Sequence, residues 1–312
     1  MRIALIQLTS GANIAANIAK IETLVKQAAG QGAELVALPE NAFYMRAEGE
    51  AAAPKYTQVE HPGVAAAARM AKENHIWLLA GSVAVKNAEC TGLSAEEENN
   101  PGLSTQHSAL TYNRSILFNP EGEIAAQYDK IHLFDVDVGD GQTYRESARI
   151  LPGEKAVVVR MDVERWRCED VVKKENSLSS HPHILTSPHP ALGLTICYDL
   201  RFPQLYRALA KAGAQILAVP SAFTVVTGEA HWHVLLRARA IENGCFVIAP
   251  AQTGTHPGNR KTYGHSLIVD PWGKILADGG TEEGVVMAEI DLDEVKRVRT
   301  KLPSLEHDRE FA

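Results

Sequence analysis

Short apolar runs of strand length alternate along this chain with longer segments of helical periodicity, and this alternation limits the possible folds. About ten runs, from RIALIQL near the start to GVVMAEI near the end, have the composition of buried strands. Segments with helical spacing lie at 13–32, 62–75, 203–214 and 229–244. The pattern predicts an α/β fold. The turns NPEGE and DPWGK each join two strand-like runs directly, so we also expect antiparallel pairs.

Composition places the chain among ordinary globular proteins. Of its 312 residues, 45% are hydrophobic and 22% are charged, and the net charge of -7 leaves no basic face for nucleic acid. The apolar stretch in MRIALIQLTS is too short for a signal peptide or a membrane span, so we expect a cytoplasmic protein with no membrane partner. We interpret 1–312 as a single domain, with surface insertions at 86–107 and 164–190 and a tail at about 303–312.

The four cysteines, Cys90, Cys168, Cys197 and Cys245, have neither CxxC pairing nor the spacing of metal ligands. The sequence therefore predicts no disulfide framework, no metal site and no cofactor. Cys90 and Cys168 fall in the two insertions and are expected to be incidental thiols, whereas Cys245 opens an apolar strand and is expected in the core.

Cys197 has the most informative surroundings of the four. It follows the apolar run LGLTI and precedes a helical segment whose Pro203 suits a first turn, so the thiol is predicted in a strand-to-helix turn. Such a turn resembles a nucleophile elbow. The positive end of the helix favours the thiolate, and the N–H of Tyr198 can donate to a developing oxyanion. A buried structural cysteine is the alternative interpretation.

Two charged residues also follow predicted strands at their carboxyl ends, where α/β sheets place their ligands. Glu40 closes AELVALPE, and Lys130 lies in EIAAQYDKIHLF. Singly, Glu40 could cap a turn and Lys130 could be a solvated surface residue. With Cys197 they form a complete set for amide hydrolysis: a base, a cation for the oxyanion and a nucleophile. In such a set the lysine should lower the pKa of the thiol, and crowding should raise the pKa of the glutamate.

Three segments resemble the motifs that carry the Glu-Lys-Cys triad of the nitrilase-type carbon–nitrogen hydrolases, and they occur in that family's order. They are LVALPEN, YDKIHLFD and GLTICYDLRFPQLY. PSAFT, TGEAHWHVLLRARAIEN and YGHSLIVDPWGK are also similar to that family, so the resemblance spans nearly the whole chain. It implies an αββα sandwich with two mixed β-sheets between helices, and a homodimer or higher homo-oligomer.

The resemblance also implies roles for individual residues. Glu40 matches the general base, Lys130 the oxyanion stabiliser, and Cys197 the nucleophile that forms a thioester as ammonia or an amine departs. A second family glutamate matches Glu146 in TYRESARILPGE, where it would orient Lys130 or the attacking water. For Glu146 the alternative is an ordinary acidic residue in a loop.

Within the family, the segments from PSAFT to AQTGTHPGNRKTYGHS are most similar to the deaminated-glutathione amidases, with the omega-amidases of 2-oxoglutaramate next. The resemblance thus implies a small-molecule amide substrate, deaminated glutathione, cleaved to 2-oxoglutarate and Cys-Gly. Hydrolysis of a nitrile or an N-carbamoyl compound by the same triad stays open, because the shape of the pocket decides the substrate.

Such a substrate carries a carboxylate, so its pocket should offer a cation or several N–H donors. Arg201 and His231 are the candidates, although Arg201 could instead pair with an acid such as Asp199 and His231 could cap a helix. We expect Tyr44, Tyr198 and Phe223 to line the pocket, because ligand sites are mostly apolar.

Two competing functions differ from the triad hypothesis. In a Cys-His hydrolase, His132 would be the base, because Lys130 and His132 share a face if KIHLF is extended. In a binding or scaffold protein the site would have no catalytic role. On the segment HWHVLLRARAIEN, structural ion pairs are the expected role of His233 and of Arg237 and Arg239.

Overall fold

The computed structural model describes residues 1–46, 56–86, 110–161, 168–170 and 189–309, with 168–170 described by their backbone alone. Nearly all of the predicted insertion at 86–107, including Cys90, and most of that at 164–190 lie outside the described residues. The helices are α1 (Ile14–Gly30), α2 (Pro62–Asn74), α3 (Pro203–Lys211), α4 (Val225–Thr227), α5 (His233–Asn243) and α6 (Asp293–Lys301). Each of the four predicted helical segments contains one of these helices.

Shorter helical turns occur at Glu146–Ala148, Cys197–Arg201 and Pro257–Asn259, which are 3-10, and at Gly228–Trp232, which is π-helical. The strands are β1 (Arg2–Gln7), β2 (Leu35–Ala37), β3 (Trp77–Leu79), β4 (Val83–Lys86), β5 (Thr111–Phe118), β6 (Ile124–Asp129), β7 (Asp135–Val136), β8 (Tyr144–Arg145), β9 (Ile150–Leu151), β10 (Val157–Arg160), β11 (Cys168–Asp170), β12 (Ala191–Leu194), β13 (Ile216–Ala218), β14 (Phe246–Ala249), β15 (Thr253–Thr255), β16 (Lys261–Tyr263), β17 (Leu267–Val269), β18 (Ile275–Asp278) and β19 (Gly284–Glu289).

The long strands form two mixed sheets. The first has the order β19-β1-β2-β3-β5-β4, with β6 and β9 also paired to β5, and β1, β2 and β3 are parallel. The second has the order β11-β10-β12-β13-β14-β17-β18, and β12, β13 and β14 are parallel. The turn NPEGE joins the antiparallel pair β5 and β6, and DPWGK joins β17 and β18. The predicted mixture of parallel and antiparallel pairs is confirmed.

The side chains of β1 show how the layers pack. Ile3 and Leu5 belong to an apolar core shared with the second sheet, whereas Ala4 and Ile6 belong to a core formed with α1 and α2. Alternate residues of a strand point to opposite faces, so the first sheet is covered by the second sheet on one face and by helices on the other. Helices α3 and α5 contact strands of the second sheet. The resulting helix–sheet–sheet–helix order confirms the predicted αββα sandwich.

The structure breaks one predicted strand in two. HIWLLAGSVAV forms β3 and β4 on either side of Gly81, whose φ is +68°. A Cβ at this position would clash with the carbonyl oxygen of Pro39, so only glycine permits this close approach. The approach fixes the chain next to Glu40.

The carboxyl-terminal segment at 303–309 packs against other parts of the same chain. Asp308 pairs with Lys211 of α3 at 2.7 Å, and the hydroxyl of Ser304 donates to the carbonyl of Glu242. Among the helices in the described ranges, none combines the length and the apolar character needed to cross a lipid bilayer.

Candidate active site

Cys197 lies just past the end of β12, at the first residue of a 3-10 turn that leads into α3. Its φ is +47°, an uncommon value for a residue other than glycine. The backbone N–H of Cys197 donates to the carbonyl of Pro220 at 3.0 Å, and the residue is 7% exposed. The strand and the turn therefore hold the thiol inside the molecule, in the strand-to-helix position that the sequence predicts.

Glu40 lies three residues past β2 and is buried. One carboxylate oxygen, Oε1, accepts from Lys130 Nζ at 2.9 Å and from Asn113 Nδ2 at 3.1 Å. The other, Oε2, accepts from the backbone N–H of Ala222 at 3.0 Å. The carboxylate also lies next to the thiol of Cys197, whose ionisation its negative charge opposes. Glu40 thus pairs with the cation of the predicted triad and lies next to its thiol.

Lys130 directly follows β6 and is 2% exposed. Its ammonium donates to Glu40, and to Glu146 Oε1 and Oε2 at 3.1 and 2.8 Å. Glu146 in turn accepts from the backbone N–H of Phe134 at 2.7 Å. The structure therefore brings together all four residues predicted as catalytic, although they come from segments far apart in the chain.

Asn113 is a member of this cluster that the sequence analysis missed. Its side chain projects from β5, and Nδ2 donates to Glu40 at 3.1 Å and to Glu146 at 3.2 Å. The two glutamates thus share a neutral donor as well as Lys130. The alternation in TYNRSILF identifies a strand, but it does not show which polar residue of that strand meets the two carboxylates.

The charges of the cluster set the protonation states of its members. Burial opposes ionisation of Glu40, but Lys130 outweighs it and holds the pKa of this carboxyl below its usual 4.5. Burial and then the negative charge of Glu40 raise the pKa of the Cys197 thiol well above its usual 9.0, and Lys130 only partly opposes them. Both directions are opposite to those expected from the sequence. In the resting site Glu40 is ionised and Cys197 is a thiol.

Asp199 ties the two sheets together beside the cluster. One carboxylate oxygen accepts from the hydroxyl of Tyr128 on β6 at 2.7 Å and from the N–H of Ile196 at 2.9 Å. The other contacts the backbone N–H and the Nδ1 atom of His132 at 3.0 and 2.7 Å. His132 also stacks on Phe202 at 3.5 Å between ring centroids. The segment after Lys130 bends rather than extends, so His132 faces Asp199.

A cavity of about 980 Å³ opens onto Cys197, Glu40 and Lys130. Tyr44, Tyr198 and Phe223, which were predicted to line the pocket, are all among its lining residues. A cavity of this size accommodates a small organic substrate with a chain of several atoms.

Arg201 and His231 are placed differently from the other predicted substrate-binding residues. Neither lines this cavity, and they lie together at 3.4 Å between guanidinium nitrogens and His231 Nδ1. The guanidinium of Arg201 lies over the rings of Tyr198 and Phe223, at 5.9 and 5.4 Å from their centroids. Arg201 therefore packs against two aromatic residues that line the cavity and does not line it itself.

Arg260 is a cation that lines the cavity and that the sequence analysis did not single out. Its Nη2 donates to the carbonyl of Ala222 at 3.0 Å, and its guanidinium lies 5.6 Å from the ring of Tyr144. Its Nε atom is buried and has no hydrogen-bond partner within the described part of the chain. A buried N–H donor without a partner is costly, and because this Nε atom is closed to solvent it is also out of reach of a ligand in the cavity.

The local sequence feature that points to Arg260 is the turn directly before it. HPGN forms the 3-10 turn Pro257–Asn259, with positive φ at Gly258 and Asn259, and this turn directs the chain back toward the cavity. Glycine and asparagine are the residues that adopt such angles most readily. The sequence therefore signals the turn, whereas the approach of its arginine to Ala222 depends on the tertiary fold.

Comparison with known proteins agrees with this geometry. The family model described as carbon-nitrogen hydrolase matches residues 2–300. A deaminated glutathione amidase of Synechocystis sp. is 41% identical over 97% of this chain and 96% of its own length.

Two solved structures share the fold. The C. elegans NitFhit protein has a TM-score of 0.70 and 30% identity over 99% of this chain, which spans only 65% of the NitFhit chain. Saccharomyces cerevisiae Nit3, a member of branch 10 of the nitrilase superfamily, has a TM-score of 0.73 and 26% identity over 97% of this chain and 94% of its own. With the family model matching nearly every residue, the chain belongs to the carbon–nitrogen hydrolase family and is an enzyme of that kind.

Proposed function

We propose that this enzyme hydrolyses a linear amide through a thioester on Cys197, with Glu40 as general base and Lys130 and Glu146 completing the site. The observation that carries the proposal is that Glu40 pairs with the ammonium of Lys130 at 2.9 Å and lies next to the Cys197 thiol, with all three residues lining the cavity. An ionised carboxylate beside a protonated thiol is the arrangement that base-assisted attack requires.

Each proton has a defined place in the proposed reaction. Glu40 removes the proton of Cys197 as sulfur bonds to the amide carbon, and the carbonyl electrons move to oxygen. When the carbonyl re-forms, the carbon–nitrogen bond breaks and Glu40 gives its proton to the departing nitrogen. Water then transfers a proton to Glu40 as it attacks the thioester, and the acid leaves as the proton returns to sulfur.

The oxyanion needs positive charge and a hydrogen-bond donor. The ammonium of Lys130 makes three contacts with carboxylate oxygens at 2.8–3.1 Å, so in the resting site its donors are already occupied. We therefore assign Lys130 the role of a fixed charge near the oxyanion, and the backbone N–H of Tyr198 the role of donor. Glu146 orients Lys130.

For the substrate we propose deaminated glutathione, cleaved to 2-oxoglutarate and Cys-Gly. Two observations support this choice: the Synechocystis relative carries that name at 41% identity, and Arg260 brings a cation to the cavity wall. We propose that Arg260 binds the carboxylate of the 2-oxo acid, because Arg260 lines the cavity and guanidinium forks match carboxylates.

The test compares kcat/KM for deaminated glutathione and for 2-oxoglutaramate, following the 2-oxo acid product, with Cys197→Ala as the blank. A preference of about tenfold or more for deaminated glutathione, roughly 1.4 kcal/mol, supports the proposal. Preference for 2-oxoglutaramate would indicate an omega-amidase. If neither compound is turned over while a nitrile or an N-carbamoyl compound is, the proposed substrate class is wrong.

We further propose that residues 1–312 form one domain, that the enzyme acts in the cytoplasm, and that it assembles as a homodimer or higher homo-oligomer. The family match to residues 2–300 and the apolar core shared by both sheets support a single domain. Light scattering after size-exclusion chromatography tests the assembly, and a mass equal to one chain would contradict it.

A further inference from the structure

Three side chains with metal-binding atoms meet on the surface of the second sheet, away from the cavity. They are His233 at the start of α5, His265 just before β17, and Asp278 at the end of β18. Asp278 Oδ2 lies 3.1 Å from His233 Nε2, and Asp278 Oδ1 lies 2.9 Å from His265 Nδ1. One ligand atom from each residue can be chosen so that all lie within 4.8 Å of one another. None of the three lines the cavity.

We propose that His233, His265 and Asp278 form a binding site for a divalent zinc-type cation. The imidazole rings of His233 and His265 lie close together. Their centroids are 5.1 Å apart, with 70° between the planes. Two imidazoles on one tetrahedral zinc, with Zn–N bonds of about 2.0–2.1 Å, place their centroids about 5 Å apart. The rings therefore already have the separation that a shared ion requires.

The distances to Asp278 support the same geometry. Tetrahedral ligand atoms at about 2 Å from zinc lie about 3.3 Å from one another. The two carboxylate–imidazole distances, 3.1 Å to Oδ2 and 2.9 Å to Oδ1, are close to this value, and one ligand atom from each of the three residues lies within 4.8 Å of the others. The ion would bind Nε2 of His233 and Nδ1 of His265, so the ring proton must lie on Nδ1 of His233 and on Nε2 of His265. The change from hydrogen bond to metal bond therefore needs a tautomer shift and no other reactant.

The fold holds this group of ligands in place. The backbone carbonyl of His265 accepts a hydrogen bond from the indole N–H of Trp232 at 2.8 Å. The imidazole ring of His265 stacks on the ring of Tyr263, with 4.5 Å between the ring centroids. Asp278 Oδ1 also accepts from the backbone N–H of Gly280 at 2.9 Å. Ligands held by such outer hydrogen bonds lose little freedom when an ion binds.

The donor set selects the type of ion. Two imidazole nitrogens and one carboxylate oxygen suit zinc, whereas magnesium and calcium prefer oxygen ligands. The side chains of His233, His265 and Asp278 are 29%, 24% and 33% exposed, so an ion can enter from solvent and water can complete its coordination. A bound ion would link the start of α5 to the β17–β18 hairpin.

The test is calorimetric titration of the full chain with zinc chloride at pH 7.5, in a Cys197→Ala background so that the catalytic thiol does not compete. The ligand variants are His265→Asn, which suits the positive φ of +55° there, and Asp278→Asn. His75→Asn is the matched control, because His75 is an exposed histidine that also has a positive φ, of +52°.

The proposal predicts a class of one zinc per chain that His265→Asn and Asp278→Asn each weaken at least about tenfold and that His75→Asn retains. Saturation at about a hundred times Kd should raise Tm by about 4 °C in the control and not in the ligand variants. Cobalt should give the absorption of a tetrahedral site with nitrogen ligands. Equal binding by control and ligand variants, or no such class at micromolar zinc, would overturn the proposal.

Discussion

Glu40 keeps a negative charge although only 3% of the residue is exposed, and its contacts explain how. Burial of a carboxylate is costly unless charged and neutral donors replace the lost hydration. Lys130, Asn113 and the N–H of Ala222 supply those donors to its two oxygens. The thiol of Cys197 has no comparable compensation for ionisation. The proton therefore rests on sulfur until a substrate arrives.

Replacing Glu40 by glutamine should lower kcat at least about 10³-fold, because an amide cannot take the thiol proton. The fold should persist, since the amide is close in size to the carboxylate. Rapid-quench measurement of the acyl-enzyme separates acylation from later steps. Glu60→Gln, an exposed acid near α2, is the control. Near-normal turnover by the Glu40→Gln variant would instead support His132 as the base.

Replacing Arg260 by methionine should weaken binding of 2-oxoglutarate to the Cys197→Ala variant by about 10- to 100-fold, because a charge-assisted pair to the carboxylate is lost. Calorimetry measures this without turnover. The comparison is Arg201→Met, which removes the cation that the sequence suggested. If Arg201→Met causes the larger loss, the carboxylate binds there and the proposal for Arg260 is wrong.

At the scale of elements, helix α2 begins with an unusual cap. His61 Nδ1 accepts from the backbone N–H of Gly63 at 3.0 Å, so the imidazole must be neutral for the cap to form. Burial lowers the pKa of His61 to about 4. The helix thereby depends on an uncharged histidine.

This cap should make stability fall with acid. Above the usual histidine pKa of 6.5 the contribution of His61 is complete, and as pH falls from 6.5 toward 4 the unfolded chain binds a proton that the folded chain does not. The loss approaches about 3 kcal/mol at pH 4. His61→Asn keeps a capping acceptor, so its drop in Tm between pH 7 and pH 5 should be smaller by about 3 °C.

Scanning calorimetry at the two pH values measures this difference. His75→Asn, at the other end of the same helix, provides the control. If the His61→Asn variant loses as much Tm on acidification as the parent protein, the cap does not govern the acid sensitivity. His256, whose pKa burial also lowers to about 4, would then be the next group to test.

At the scale of the whole molecule, the relative position of the two sheets determines whether the site exists. Glu40 and Lys130 follow strands of the first sheet, and Cys197 follows a strand of the second. Asp199 joins the two by its contacts with Tyr128 and His132 on one side and Ile196 on the other. We therefore regard Asp199 as a positioning residue.

Asp199→Asn should lower the free energy of unfolding in urea by about 2–4 kcal/mol, because an amide cannot satisfy all the donors around the buried carboxylate. It should also slow acylation at temperatures where the variant is fully folded, because Lys130 and Cys197 lose their common anchor. Tyr128→Phe removes a single hydrogen bond and is the milder comparison. A destabilised variant with unchanged acylation would contradict the positioning role.

The fold class and the positions of the triad along the chain could be predicted from the amino-acid sequence alone. Strand and helix periodicity are local properties, and so is the placement of Glu40, Lys130 and Cys197 just past β2, β6 and β12. The two Pro-Gly turns likewise predicted the hairpins β5–β6 and β17–β18 correctly, because turn preferences depend on a few adjacent residues.

The protonation states and the contacts of these residues could not be predicted in this way. The pKa directions of Glu40 and Cys197 depend on burial and on charges brought from distant segments, so local sequence led to the opposite expectation. The pairing of Arg201 with His231, and the presence of Arg260 at the cavity, depend in the same way on contacts between remote parts of the chain. Such contacts arise from packing in three dimensions, which the spacing of residues along a chain does not specify.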